Sequence, residues 1–445
     1  MATEHLKKAA MTPATGEEET RRIVSEILSE IRKGGEERAR EYGVALDGYR
    51  GDVLVSAEAV EAARRAVPER VKDDLRFAHQ KVAEFARRQR ESIREFEAEL
   101  SPGVFAGQRL IPVATAGCYV PGGRYPHVAS AIMGITTARA AGVANVIACS
   151  APREGSGIHP AILYAMDLCG ADQILALGGV QGIAALAFGL FTGKKADLLV
   201  GPGNRFVAEA KRMLFGGVGI DLFAGPTEIL VIAGQAADPE IVVRDLVGQA
   251  EHGPDSPAWL VTTSRRLGED ALARIERVIA ELPERHAAVA GAAWRDYGEV
   301  VVCDTDEEAA RISDEHAPEH LEVQTANPEW YLARLRNYGS LFLGEETTVA
   351  FGDKCSGTNH ILPTRGASRY TGGLSVHKFI KVVTTQRMTR EANREVAAVS
   401  ARISRLEGME AHARTGDFRL RKYFPGEDFA VEGAAASGAG KEESR

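Results

Sequence analysis

From residue 115 onward the chain repeats one texture, in which short apolar runs alternate with alanine-rich stretches of helical period. The apolar runs that read as strands are 145–149, 173–177, 197–200, 228–233, 258–263, 299–303, 320–325 and 340–343. Helical periodicity falls between them at 130–141, 159–169, 181–188, 205–215, 241–251, 267–281 and 328–337. A strand, a helix and a further strand in succession form a crossover, which makes the strands parallel and lays helices over the sheet. The strand count exceeds one sheet and 445 residues exceed one ordinary core, so two α/β domains are expected.

The flanks read differently. Residues 1–16 are polar and expected to be loose. Residues 17–33 form an amphipathic helix with Ile23, Ile27 and Ile31 on one stripe, closed by Gly34-Gly35. Residues 57–93 are charged and helical with a break near Pro68, 101–113 are strand and turn, and 388–407 are helical. Residues 426–445, rich in Gly, Ala, Ser and Glu, have little to bury and are expected to be disordered. A net charge of −8 argues against a nucleic-acid partner. No apolar run approaches the roughly 20 residues of a membrane span, and the first residues carry no apolar signal core. Five scattered cysteines (118, 149, 169, 303 and 355) include no CxxC pair, so neither a disulfide framework nor a thiolate zinc site is indicated, and a cytoplasmic location fits.

Several stretches carry candidate chemistry. In Asp245-Leu-Val-Gly-Gln-Ala-Glu-His-Gly-Pro254, Gln249 and His252 are three apart and project from one face of a last helical turn before Gly253-Pro254 stops it. That is half of a metal site or a polar helix end. Three glycine-rich turns, 117–123, 178–182 and 201–204, each precede a helix start and lack the GxGxxG pattern. They are tight turns or backbone cradles for a nucleotide at strand ends. Glu319-His320 sets a carboxylate beside an imidazole at a strand mouth, a general-base pair or a polar strand start. Residues 351–364 read as a long polar loop with Asp353 and His360, and His412 lies on a short terminal segment. Gln249, His252, Asp353 and His412 together offer nitrogen and oxygen donors without a thiolate, which suits Zn²⁺ with an open position.

These motifs resemble histidinol dehydrogenases from residue 17 to 424. The resemblance rests on Gly117-Cys-Tyr-Val-Pro-Gly-Gly, Gly178-Gly-Val-Gln-Gly, Gly201-Pro-Gly-Asn, Ala224-Gly-Pro-Thr-Glu, Gln249-Ala-Glu-His-Gly-Pro, Ala317-Pro-Glu-His-Leu, Gly357-Thr-Asn-His-Ile-Leu-Pro-Thr and Glu407-Gly-Met-Glu-Ala-His. It implies an α/β fold of two incomplete Rossmann-like domains with parallel sheets, a helical N-terminal segment and a C-terminal segment swapped between subunits. The implied boundaries are a loose 1–16, a first domain of 17–118 with 229–370, a second of 119–228, a partner-reaching 371–425 and a tail 426–445. It implies one zinc per subunit held by Gln249, His252, Asp353 and His412, and NAD contacted by Tyr119, Gln181 and Asn204. Glu319 and His320 match the catalytic pair. Thr227, Gln249, His252, His320, Asp353, Glu407 and His412 match the substrate contacts. The implied assembly is a homodimer with shared active sites, in which His412 serves the partner.

The implied activity is a four-electron oxidation of an alcohol through an aldehyde to an acid with two NAD⁺, with L-histidinol, the last intermediate of histidine biosynthesis, preferred on motif count. Three departures point to a paralogous branch, sulfopropanediol dehydrogenase, which oxidises dihydroxypropanesulfonate to sulfolactate. They are Arg124 after the Pro-Gly-Gly turn, Thr227 in the Ala-Gly-Pro-Thr turn, and Arg369 in 368–374. Either arginine would suit a sulfonate or serve as a surface residue. A catalytically silent metal-binding paralogue is the alternative of another class, and the intact Glu319-His320 pair argues against it.

Overall fold

The computed structural model describes residues 4–11, 17–123, 125–153, 155–222 and 225–431. The chain divides into two compact units, Met1–Ser92 with Pro112–Ile380, and Ile93–Ile111 with Lys381–Arg445.

The first unit holds two sheets wound the same way. In one, the strands lie in the order Gln173–Ala176, Asn145–Ser150, Thr115–Val120, Leu198–Val200, Gly219–Ile220, all parallel. In the other, the order is Glu4–Lys7, Glu299–Val302, Ala258–Thr262, Ile229–Ala233, His320–Gln324, Ser340–Leu343, parallel except for the first. Apart from Glu4–Lys7, each sheet begins at its centre, grows to one side for three strands and then switches to the other. This is a Rossmann-like winding, and it creates a switch point in each sheet. The two parallel Rossmann-like sheets and the N-terminal helix agree with the fold class expected from the sequence.

The central strand Ile229–Ala233 shows why these runs read as continuous apolar stretches. Ile229, Val231 and Ala233 pack with Val242, Val243, Leu246 and Val247 of the helix Pro239–Ala250. Leu230 and Ile232 pack on the opposite face with Ala309, Ala310 and Ile312 of the helix Asp306–His316. Both faces are buried, so no polar alternation survives, and each large side chain contributes roughly 1.5–3 kcal/mol through burial. In the other sheet, Gly179–Phe188, Arg205–Leu214 and the helical run Glu17–Asp47 share one core that includes Ile147, Leu175 and Leu199.

The second unit has a three-stranded sheet in the order Ile380–Met388, Val104–Pro112, Phe96–Ser101. It also has a helix pair, Asn393–Leu406 and Glu410–Tyr423, closed by Ala397, Ala398, Leu420 and Phe424. Asp417, buried, takes Arg405 in an ion pair of 2.5 Å. The helix pair leaves Ile403, Leu406, Met409 and Phe418 exposed.

Several elements differ from the sequence expectation. Glu4–Lys7 is an edge strand antiparallel to Glu299–Val302 rather than loose chain. Its pairing comes from backbone groups, which leave no apolar pattern. A second helix follows directly on Gly34-Gly35, where Gly35 at φ 62° leaves the helical region and breaks the run Glu17–Asp47 into two. Gly117–Val120, read as a turn, belongs to the central strand Thr115–Val120. Residues 349–354 form the helix Val349–Lys354, so the polar loop begins later than expected. Arg124, Ala224 and residues 432–445 of the tail lie outside the described residues. Among the described residues, no helix is long and apolar enough to cross a membrane.

Candidate active site

Four elements converge at the amino-terminal edge of the larger sheet. Strand His320–Gln324 starts there with Glu319 just before it, and His320 lies in register with Ile229. Thr227 and Glu228 lead into Ile229 at the same edge. The helix Pro239–Ala250 begins at the far edge, where Asp238 accepts the Glu240 N–H at 2.7 Å and Pro239 fits the first turn. It runs back along the sheet and so returns Gln249 to the edge where it is needed. The short helix Val349–Lys354 brings Asp353. The approach to Glu319 is fixed by Ala317, which caps the helix Asp306–His316 in the left-handed region at φ 50°. Ser340 N–H then binds the Glu319 carbonyl at 2.9 Å.

The side chains form one connected set. Glu319 Oε2 accepts from Thr227 Oγ1 at 2.5 Å and from the Glu228 N–H at 3.0 Å. Thr227 in turn accepts from Gln249 Nε2 at 2.5 Å. His320 Nδ1 lies 3.0 Å from the Glu228 carbonyl, 3.3 Å from Gln249 Nε2 and 3.5 Å from Glu319 Oε2. His320 Nε2 lies at ion-pair distance from Asp353 Oδ1, 3.4 Å, and among the described residues this buried nitrogen makes no hydrogen bond. Behind it, His360 Nδ1 meets the Asp353 carbonyl at 3.0 Å and its Nε2 meets Ser130 Oγ at 2.8 Å. His360 is thus a brace, through which the start of the helix Val128–Ala141 touches the site.

Burial and charge oppose one another here. Burial pushes the Glu319 carboxyl up to about 7 against the pull of His320 and two donors. Burial also penalises the His320 cation, but the Glu319 and Asp353 carboxylates outweigh it and raise the ring to about 9. For Asp353, burial is again overcome, and His320 holds the carboxyl well below its ordinary range. The set therefore shares protons among close neighbours near neutral pH, the condition that general acid–base chemistry needs.

Glu228, unremarked in the sequence because it only leads into an apolar strand, is buried beside this set. Its Oε1 accepts the Arg365 N–H at 3.1 Å. Burial first, and the Glu319 charge second, raise it from 4.5 to about 8. The folded chain therefore holds a proton that the unfolded chain releases near 4.5. Stability from this group is present below that value and is lost as pH rises towards 8. Thermal melts of Glu228→Gln should show a smaller decline than wild type between pH 5 and pH 8 (about the window of the shift). Parallel curves would mean that Glu228 titrates as an ordinary carboxylate.

At the carboxyl-terminal edge of the smaller sheet stand Tyr119, Gln181 and Asn204, each at or just past a strand end. Tyr119 Oη accepts the Gly179 N–H at 3.2 Å. Gln181 is buried, with Nε2 held by Asp47 at 2.9 Å and Oε1 left without a partner. Asp47 also takes the Gly178 N–H at 3.2 Å. Asn204 is exposed and caps its helix through the Phe206 and Val207 N–H groups, 3.0 and 3.1 Å away. Gly201 adopts φ 119°, and a Cβ there would lie 2.0 Å from the Tyr119 carbonyl. The buried pair Lys211–Asp221 holds both ends of that peptide, Lys211 Nζ on the Gly201 carbonyl and Asp221 Oδ2 on the Gly201 N–H, each at 2.8 Å.

Of the residues singled out in the sequence, Thr227, Gln249, Glu319, His320 and Asp353 come together in the first unit. His252 follows Gln249, is exposed, and interacts electrostatically with Asp353. Glu407 and His412 are exposed on the second unit. Arg369 spends its guanidinium on the Gly366 and Glu315 carbonyls at the surface, which makes it a fastener of its own loop rather than a free anion contact. Among the described residues, no three acidic, cysteine or histidine side chains form a preassembled metal cluster. The donor set nonetheless fits a zinc ion. Thr227 takes the Gln249 nitrogen, which leaves the amide oxygen as the donor atom for a cation, and His252 and Asp353 would add an imidazole and a carboxylate.

Residues 11–420 match the sequence profile described as histidinol dehydrogenase. The chain is 61% identical over 424 residues to a "Histidinol dehydrogenase homolog" of Pelagibacter ubique, covering 95% of this chain and 99% of that one. It is 56% identical over 429 residues to a "Sulfopropanediol 3-dehydrogenase" of Ruegeria pomeroyi, covering 96% and 99%. The crystal structure of histidinol dehydrogenase from Elizabethkingia anophelis superposes with a TM-score of 0.87 at 33% identity, covering 93% of this chain and 94% of that one. Profile, sequence and fold agree, and the chain belongs to the histidinol dehydrogenase family of oxidoreductases.

Proposed function

We propose that the chain is a zinc- and NAD-dependent dehydrogenase that takes a primary alcohol through its aldehyde to a carboxylic acid. The observation that carries this reading is the line Thr227–Glu319–His320–Asp353, buried from Glu319 onward, with Gln249 bonded into it. Gln249, His252 and Asp353, with His412, are the residues that would hold zinc, which supplies Lewis acidity and a fixed anchor for the substrate. Tyr119, Gln181 and Asn204 would receive NAD at the carboxyl edge of the smaller sheet. His320 takes the hydroxyl proton as hydride leaves the carbinol carbon for the first NAD⁺. Glu319 then takes a proton from the water that adds to the aldehyde, and the hydrate gives its hydride to the second NAD⁺. One alcohol, one water and two NAD⁺ become one carboxylate, two NADH and three protons.

Motif count favours L-histidinol as the substrate, whereas the identities favour a sulfonated diol. The chain is 56% identical over 429 residues to the sulfopropanediol relative and 39% identical over 403 residues to a histidinol dehydrogenase of Methanothermobacter thermautotrophicus. We give the identities more weight, because the shared motifs serve metal and hydride chemistry common to both substrates. L-Histidinol remains the second reading, and with it a place at the end of histidine biosynthesis. Zinc-loaded protein should be offered dihydroxypropanesulfonate and L-histidinol in parallel while NADH is followed at 340 nm (about two NADH per alcohol is the four-electron stoichiometry). Turnover of the sulfonate alone supports the proposal. Turnover of L-histidinol alone reverses the substrate, and NADH from neither removes the dehydrogenase reading in favour of a silent paralogue.

A further inference from the structure

One layer below the candidate site lies a second polar cluster that the reaction does not use. Glu322, fully buried, sits two residues after His320 and so faces the same side of the strand. Asp245 sits one helical turn before Gln249. Gln324 Nε2 donates to Asp245 Oδ2 at 2.8 Å and to Glu322 Oε2 at 3.1 Å. Thr348 Oγ1 donates to Asp245 Oδ1 at 2.9 Å, and the Val349 N–H donates to Glu322 Oε1 at 2.9 Å. Val349 opens the helix whose fifth residue is Asp353.

Three of the four elements that reach the site are therefore gripped here, each one structural repeat away from its functional side chain. Asp245 answers to Gln249, Glu322 to His320, and Val349 to Asp353. Gln324 bridges the two carboxyl groups, donating to both of them. Burial, and then the Asp245 charge, raise the Glu322 carboxyl above its ordinary range. A core apolar at this depth would pack the elements without fixing their slide. Directional bonds to all three fix it, and a site of this kind tolerates little misplacement.

We propose that Asp245 and Glu322 are positioning residues that set Gln249, His320 and Asp353 in register by clamping their three elements to one shared carboxyl pair. The inference rests on the catalytic reading of those three residues. Glu322→Ala and Asp245→Ala should each weaken zinc binding, read by chelator competition, and lower kcat, both by about 10- to 100-fold. KM for NAD should stay unchanged, because its contacts lie on the other sheet. Glu322→Gln should recover both values to within about threefold of wild type (its oxygen still accepts the Val349 N–H and its nitrogen can donate to Asp245, at the loss of the Gln324 bond). Equal losses in Glu322→Ala and Glu322→Gln would overturn the proposal, as would a loss in Glu322→Ala that follows its thermal melting alone. If wild type oxidises neither alcohol, the catalytic reading fails. The zinc competition then still decides the positioning role, since it needs no turnover.

Discussion

Changing His320 to glutamine is expected to lower kcat for NADH formation by about 10³-fold while the zinc content stays that of wild type. The ring is buried, its Nδ1 is committed to the Glu228 carbonyl, and among the described residues its Nε2 makes no hydrogen bond. Such a nitrogen is placed to receive a proton rather than to hold the fold. The Glu319 and Asp353 carboxylates raise the His320 ring, and a cation on Asp353 would weaken that hold and favour the ring as a base. Glu319 should behave differently. With Glu319→Gln, the first hydride transfer retains its base, so rapid mixing should show a burst of at most one NADH per site before turnover stalls at the aldehyde. With His320→Gln no burst should appear. Loss of zinc from His320→Gln would reassign the ring as a ligand. An undiminished steady state in Glu319→Gln would remove its role in activating water.

Much of this arrangement is legible along the chain, and the remainder is hidden for identifiable reasons. Strands buried on both faces, such as Ile229–Ala233, declare themselves by their apolar run. Tyr119, Gln181 and Asn204 fall at strand ends beside the glycine-rich turns that the sequence marks out. Glu319 and His320 are neighbours in sequence and stay neighbours in space, so their pairing needed no fold to be seen. What could not be read are partnerships made across the sheet. Glu322 and Asp245 are 77 residues apart and look like ordinary polar positions in a strand and a helix. Asp47, which orients Gln181, ends a helix in another part of the chain. The edge strand Glu4–Lys7 is polar and is recruited by backbone pairing alone. Arg369 was legible as a charge but not as a fastener, because its acceptors are main-chain carbonyls.

A mixture of two inactive variants, Asp353→Ala and His412→Ala, should recover about a quarter of wild-type activity once subunits exchange. Random pairing makes half of the dimers mixed, and each mixed dimer carries one intact site of two. The expectation follows from how the donors are distributed. Gln249, His252 and Asp353 belong to the first unit, whereas His412 and Glu407 lie exposed on the second. The helices that flank these two residues also expose Ile403, Leu406, Met409 and Phe418, and Leu406 retains 88% of its surface. Exposed large apolar side chains gathered on one helix pair are costly in water unless another surface covers them. A second copy of the chain would cover it and present the missing imidazole at the same time. In that arrangement His412→Ala disables the partner's zinc site and leaves its own intact, so a chain bearing Asp353→Ala can still complement it. If His412 instead completes the site of its own subunit, each mixed dimer contains two broken sites. The mixture would then stay as inactive as its parts, and the sharing of sites between subunits would be ruled out.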